Sequence, residues 1–163
     1  MITLREAIYT DYPSILALQR TAFQIEADFL QDNTIQPMTQ SLEELEREMK
    51  TSLCIVACKE GRIVGSVRAS VQDETYVIAK LIVDPSIQNE GLGQRLMRAI
   101  EQTCPAGYKL KLFTGKHNHK NIYLYEKLNY KQVSEEVVTA RLQFVHMEKK
   151  HTLPATEDLE KSE

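Results

Sequence analysis

The run Leu81-Ile82-Val83-Asp84-Pro85-Ser86-Ile87-Gln88-Asn89-Glu90-Gly91-Leu92-Gly93-Gln94-Arg95-Leu96-Met97 reads as a buried strand, a glycine turn and an amphipathic helix, with no residue to spare between them. A junction this tight builds an anion site. The first N–H groups of the helix have no intrahelical partner, and the helix dipole is positive there, so a phosphate satisfies both. Gly91 and Gly93 carry no Cβ to hold a bulky phosphate off the backbone.

Two common nucleotide loops are excluded at this place. A Walker A loop needs Gly-Lys-Ser/Thr at its end, and Gly93 is followed by Gln94-Arg95. A dinucleotide fingerprint needs a third small residue three positions after Gly93, where Leu96 stands. A bare Gly-x-Gly also serves as a plain strand-to-helix connection, so the guest must be named by the rest of the chain.

The 163 residues suit one domain with a sizeable core, expected over residues 1–148, followed by a charged and mobile tail over 149–163. With 20 Lys+Arg against 23 Asp+Glu the net charge is −3, and no basic stripe stands out, so nucleic acid is not an expected partner. Cys54, Cys58 and Cys104 cannot all pair and form no C-x-x-C; Cys54 and Cys58 share one face of a strand as small apolar residues. A reducing, cytoplasmic setting is expected. The charged N-terminus is unlike a signal peptide, and no apolar run has membrane-spanning length, so no membrane is expected.

Apolar periodicity places a strand over 2–8, then a helix opened by Asp11-Tyr12-Pro13 and carrying Ile15, Leu16, Leu18, Ala22 and Phe23. Residues 31–41 contain Pro37 and read as a loop; Ser41-Leu42-Glu43-Glu44 is a capping-box start for a short helix. Strands over 53–58, 62–71 and 75–83 form a meander, the first turn at Lys59-Glu60-Gly61, with Gly65 a bulge candidate. A helix over 91–102 buries Leu92, Leu96, Met97 and Ile100 and stops at Cys104-Pro105-Ala106-Gly107. A strand over 109–114, a helix over 121–128 ended by Asn129 in a left-handed cap, and strands over 131–138 and 141–147 complete the order. The expected class is α/β (α+β): a mixed, mostly antiparallel sheet of about seven strands, helices on both faces, and a parallel crossover between strands four and five.

Two segments, correctly spaced within these elements, resemble motifs of the GNAT superfamily of N-acetyltransferases. Gln88-Asn89-Glu90-Gly91-Leu92-Gly93 is similar to its Q/R-x-x-G-x-G/A acetyl-CoA motif and follows Leu81-Ile82-Val83-Asp84-Pro85, similar to the family's Leu-x-Val-x-Pro. Asn118 with Tyr125 seven residues later, ahead of Leu124-Tyr125-Glu126-Lys127-Leu128-Asn129-Tyr130, is similar to its second motif. Asn129 and Tyr130 replace the usual Gly and Phe, changes the cap geometry tolerates, and Asn121 stands where a small apolar residue is common.

The resemblance implies acetyl-CoA as co-substrate and a primary amine, on a small molecule or a peptide, as acceptor. Gln88, Asn89, Glu90, Gly91, Leu92, Gly93 and Gln94 would receive the pyrophosphate. Leu81, Ile82 and Val83 would lie along the pantetheine and thioester, and Asn118 would complete the cofactor contacts. Tyr125 is the candidate acid for the departing CoA thiolate, whereas Tyr123 and Tyr130 read as packing residues. The glutamates that several members carry on the fourth and fifth strands are replaced by Val77 and Phe113, which leaves Glu26, Glu74 or a water chain as the base.

Glu26, Asp28 and Asp32 give the 26–41 segment an acidic cast suited to a cationic amine, and Phe23, Phe29 and Met38 could line a wall there. His117-x-His119 lacks a third ligand at metal spacing, so no metal is expected. The alternative reading is a CoA-binding sensor without turnover, for which the missing strand glutamates speak. A toxin acting on aminoacyl-tRNA suits the acidic balance poorly. A homodimer through an exposed final strand is an expectation by analogy alone.

Overall fold

The computed structural model describes residues 1–87 and 89–151. The elements follow the chain as β1 (Ile2–Glu6), α1 (Tyr12–Leu30), α2 (Gln36–Thr39), α3 (Leu42–Met49), β2 (Leu53–Lys59), β3 (Arg62–Gln72), β4 (Thr75–Val83), α4 (Leu92–Glu101), β5 (Lys109–Gly115), α5 (His119–Lys127), β6 (Lys131–Val137) and β7 (Gln143–Lys150). Among the described residues seven strands form one sheet in the order β1-β2-β3-β4-β5-β7-β6. All ladders are antiparallel except β4–β5, which is parallel.

Local chemistry sets most boundaries. Ser41 Oγ accepts from the Glu44 N–H at 3.1 Å and Glu44 Oε1 accepts from the Ser41 N–H at 3.0 Å, the capping box that starts α3. Glu60 and Gly61 both hold φ near +50 to +80°, the two-residue hairpin turn whose twist suits paired strands. Asn129, at φ 74°, ends α5 in the left-handed cap, and the Tyr130 N–H returns to the Tyr125 carbonyl at 3.0 Å.

Alternation on β2 divides the core between the two faces of the sheet. Ile55 and Ala57 join Leu92, Leu96, Met97 and Ile100 of α4 and Tyr125 and Leu128 of α5 in one apolar cluster. Cys54 and Val56 join Ile15, Leu16 and Leu45, from α1 and α3, in the other. Gly65 seats α4. A Cβ there would stand 2.9 Å from Leu96 Cδ1 and 3.2 Å from the Ile82 carbonyl oxygen.

The α1 face also holds a buried polar network that the strand pattern did not suggest. Arg68 of β3, only 1% exposed, donates to Gln19 of α1 and Glu48 of α3. Gln40 accepts from Gln19 and donates to Glu48, and Gln19 also donates to the Pro37 carbonyl. Three segments distant in sequence are thereby fixed over one strand.

Four expectations are corrected. Residues 31–41 are not all loop: α2 forms one turn with Pro37 in its first positions, where the missing N–H costs nothing. The bulge on β3 falls at Val64, since Ala57 faces Gly65 and Cys58 faces Ile63. The final strand is no edge, because β7 lies between β5 and β6; β6 is the edge, and a second register shift at Val133 breaks its ladder. β7 runs to Lys150, past the expected end of the domain at 148, and the His151 N–H donates to the Tyr108 carbonyl at 3.0 Å. The rest of the expected mobile tail, 152–163, lies outside the described residues. No helix among the described residues is long and apolar enough to cross a membrane.

Replacing Gly65 by Val should lower unfolding stability by about 1–3 kcal/mol, the range for overpacking a filled interior. Urea unfolding of the two proteins measures this, and an unchanged midpoint would show that α4 does not rest on Gly65.

Candidate functional site

The site begins where two strands part. β4 and β5 pair over Thr75–Val77 and Lys109–Lys111, and their ladder then ends although β4 continues to Val83 and β5 to Gly115. On its other side β4 is bulged: Arg68 faces Ala79 and Ser66 faces Ile82, so Lys80 and Leu81 together oppose Val67. Lys80 holds φ 54°, a left-handed conformation uncommon for a side chain of this length. A bulge bends its strand, and here the bend accompanies the separation of β4 from β5.

A cavity of about 510 Å³ lies against the unpaired end of β4, the α4 start and α5. Leu81, Ile82, Val83, Asn89, Gly91, Leu92, Gly93, Gln94 and Asn118 all line it, so the structure gathers nine of the expected cofactor residues around one cavity. Glu90 is exposed and is not part of that lining, and Gln88 lies outside the described residues. Gly91 precedes α4 at φ 77° with nothing within 4 Å of a Cβ added to it, so inside this chain its glycine is required by backbone conformation rather than by space. The α4 start faces the cavity with Leu92 and Gly93, and its unpaired N–H groups belong to the same turn.

A second cavity, of about 930 Å³, adjoins the first and shares Phe23, Glu26, Leu81, Asn118 and Asn121 with it. Tyr125 lines the second cavity alone of the two. It is 5% exposed, and its ring meets Tyr130 edge-on with centroids 6.1 Å apart. Burial pushes the Tyr125 phenol well above its ordinary value, so the hydroxyl keeps its proton. Asn118 caps α5: its Oδ1 accepts from the Asn121 N–H at 3.1 Å, and Asn121 Nδ2 donates to Thr114 Oγ1 at 3.3 Å.

Of the two candidate bases only Glu26 is at the site. Glu26 Oε2 lies 3.0 Å from His117 Nε2, and the imidazole stacks on Phe29 with centroids 3.9 Å apart and planes 12° from parallel. Gly115 makes room for this pair, since a Cβ on it would stand 2.6 Å from His117 Cε1 and 3.4 Å from Glu26 Oε1. Glu74 is exposed in the β3–β4 turn at the opposite end of β4 and lines neither cavity. His117 was set aside when read only as a metal ligand. Its partner is 91 residues away in sequence, so no local spacing announces the pair.

Other expected wall residues separate in the same way. Phe23 lines both cavities, whereas Met38 lines neither. Phe113, 46% exposed, lines the larger cavity beside Phe144, with centroids 4.6 Å apart. Tyr130 packs in the core as expected and donates to Glu101 at 2.6 Å. Tyr123 does not pack: it is 71% exposed at the rim of the smaller cavity.

The acetyltransferase (GNAT) domain family matches residues 25–151, which contain the end of β4, the α4 start, Glu26, His117, Asn118 and Tyr125. Among solved structures the chain is similar to the ribosomal-protein-S18-alanine N-acetyltransferase from Escherichia coli, with TM-score 0.75 and 19% identity over 94% of this chain and 96% of that one. It is similar to a GNAT superfamily phosphinothricin acetyltransferase from Sinorhizobium meliloti in complex with AcCoA, with TM-score 0.74 and 19% identity over 92% and 88%. The PaiA N-acetyltransferase from Thermoplasma acidophilum in complex with coenzyme A gives TM-score 0.73 and 15% identity over 92% and 99%. No curated protein sequence matches the chain. At such identities the structural likeness bears on the fold, and with a family match over most of its length the chain belongs to the GNAT acetyltransferase family.

Proposed function

We propose that this protein is an N-acetyltransferase that moves the acetyl group of acetyl-CoA to a primary amine by direct attack in a ternary complex. The observation that carries this is the meeting of two cavities at Leu81 and Asn118, one walled by the β4 edge and the α4 start, the other by Tyr125.

Acetyl-CoA fits the first cavity by chemistry. N–H groups of residues 89–94 at the helix start suit its pyrophosphate without a lysine, and Asn118 lies beside the passage to the second cavity. The β4 edge over Leu81–Val83 has no β5 partner, so it can pair with the amides of the pantetheine arm. An N–H of this edge also suits the oxyanion formed as the amine attacks, a contact worth about 3–4 kcal/mol when preorganised.

The acceptor enters from the larger cavity. An amine protonated at neutral pH must first lose a proton, and the Glu26–His117 pair, which faces both cavities through Glu26, supplies the base. The amine nitrogen then bonds to the thioester carbon. The tetrahedral intermediate gives up its extra nitrogen proton and collapses with cleavage of the C–S bond; the CoA sulfur takes the Tyr125 proton, and the proton released from nitrogen restores the phenol through solvent. Burial that raises the Tyr125 phenol raises a thiolate leaving beside it as well, so the transfer is not opposed by the phenol's environment alone. Cys54 and Cys104 are buried thiols pushed up to about 11 and line neither cavity, so neither serves as an acyl carrier.

A sensor without turnover was the alternative, on the ground that no glutamate stands at Val77 or Phe113. Glu26 with His117 supplies that function from α1 and the β5–α5 turn, which favours the enzyme.

Tyr125→Phe should lower amine-dependent thiol release by about 10²–10⁴-fold, the usual worth of a positioned proton donor, while acetyl-CoA affinity by calorimetry stays within about twofold. Equal release by the two proteins would remove Tyr125 from the chemistry. His117→Gln and Gly115→Ala should both slow release near neutral pH, by about 10²-fold for the loss of a general base, and the deficit should shrink as pH rises and the free amine accumulates. A deficit constant across the pH–rate profile would make the pair structural.

A further inference from the structure

We infer that the acceptor amine carries an anionic group of the carboxylate class, held by Lys80 and Arg141 of the larger cavity. The inference rests on the acetyltransferase reading and deepens it by naming the class of acceptor.

Four charged side chains line that cavity, and they divide by how they are engaged. Glu26 is paired with His117. Asp32 accepts from both the N–H and the hydroxyl of Thr34, which hold its carboxyl below the usual carboxylate range. Asp28, the third acid of the segment, accepts from Gln24 at 2.8 Å and does not line the cavity. Lys80 and Arg141, by contrast, line it with no side-chain hydrogen bond or ion pair to any described residue. Asp32 thus stays ionised but is bonded within its own turn, and the charged groups of the cavity with no side-chain partner are the two cations.

Lys80 is placed there by the strand bulge, which gives it its left-handed backbone and takes it out of the regular alternation of β4. It is half-buried. Burial first and the neighbouring Arg68 second push its ammonium below the ordinary lysine value, with Glu48 opposing. Glu48, the acid nearest this pair of cations, accepts from Arg68 and Gln40 and makes no hydrogen bond or ion pair with Lys80. An ammonium left in a partly dry cavity gains most from an anionic guest. Arg141, exposed in the β6–β7 turn, lines the same cavity and offers a fork suited to carboxylate. Glu26 and Leu81 line the same cavity, so an acceptor with its acid group at Lys80 and Arg141 shares one enclosure with the base and with the passage to the smaller cavity.

The test is thiol release from acetyl-CoA with the common amino acids, with their carboxamides, and with putrescine and spermidine, by the wild-type protein and by Lys80→Met and Arg141→Gln. The acids should be preferred to their carboxamides by at least about tenfold in kcat/KM, as expected for a hydrogen bond between charged groups. Each substitution should bring that ratio toward one, chiefly through KM, with acetyl-CoA affinity retained as the check on folding. Release that favours the carboxamides or polyamines, or a ratio untouched by both substitutions, overturns the inference and leaves acetyl transfer standing. Release with none of these amines overturns it, and the acetyltransferase reading falls only if Tyr125→Phe also leaves slow acetyl-CoA hydrolysis unchanged.

Discussion

The bulge at Lys80-Leu81 is the constraint on which the site depends. An unbroken β4 would keep its alternation through Val83, where here two residues face the single Val67 and the parallel ladder to β5 has already ended at Val77. The end of β4 is left unpaired on one side, and the smaller cavity lies against it, the α4 start and α5. The same local conformation carries Lys80 into the neighbouring cavity. The walls of the two cavities therefore share one irregularity of the backbone.

A bent strand needs support on both faces. On one, Gly65 lets Leu92 and Leu96 of α4 settle against the sheet, which fixes the helix whose start faces the smaller cavity. On the other, Arg68 gathers Gln19, Gln40 and Glu48 and so ties α1 and α3 over β3. A buried charge of this kind is a poor source of stability in itself, since its desolvation offsets much of the attraction. Its contribution is to geometry. Gln19 bonds the Pro37 carbonyl, so the network also anchors α2, whose Gln36 and Pro37 wall the larger cavity.

What the sequence discloses and what it conceals follow from distance along the chain. The strand, glycine turn and helix over 81–97, the Ser41 capping box, the Asn129 cap and the buried stripe of α4 are all set by residues within a few positions of one another, and all were legible. Asn118 and Tyr125, which both line the larger cavity, were singled out by resemblance, because their spacing lies within one turn-and-helix. Glu26 with His117 was only half legible, since the carboxylate could be singled out but its partner could not. Arg68 was invisible as a buried residue, because an arginine in a strand declares neither face until the helices above it are placed. The insertion of β7 between β5 and β6 was likewise beyond local pattern, which specifies strands but not their order.

The central claim is that the unpaired β4 edge and the α4 start form one cradle for acetyl-CoA. Amide chemical shifts of the ¹⁵N-labelled protein, followed as acetyl-CoA is added, test it most directly. The N–H signals of Leu81–Val83 and of Asn89–Gln94 should move together and saturate at one ligand concentration. Saturating acetyl-CoA that leaves both groups unmoved, or moves only residues on the α3 face of the sheet, would contradict it.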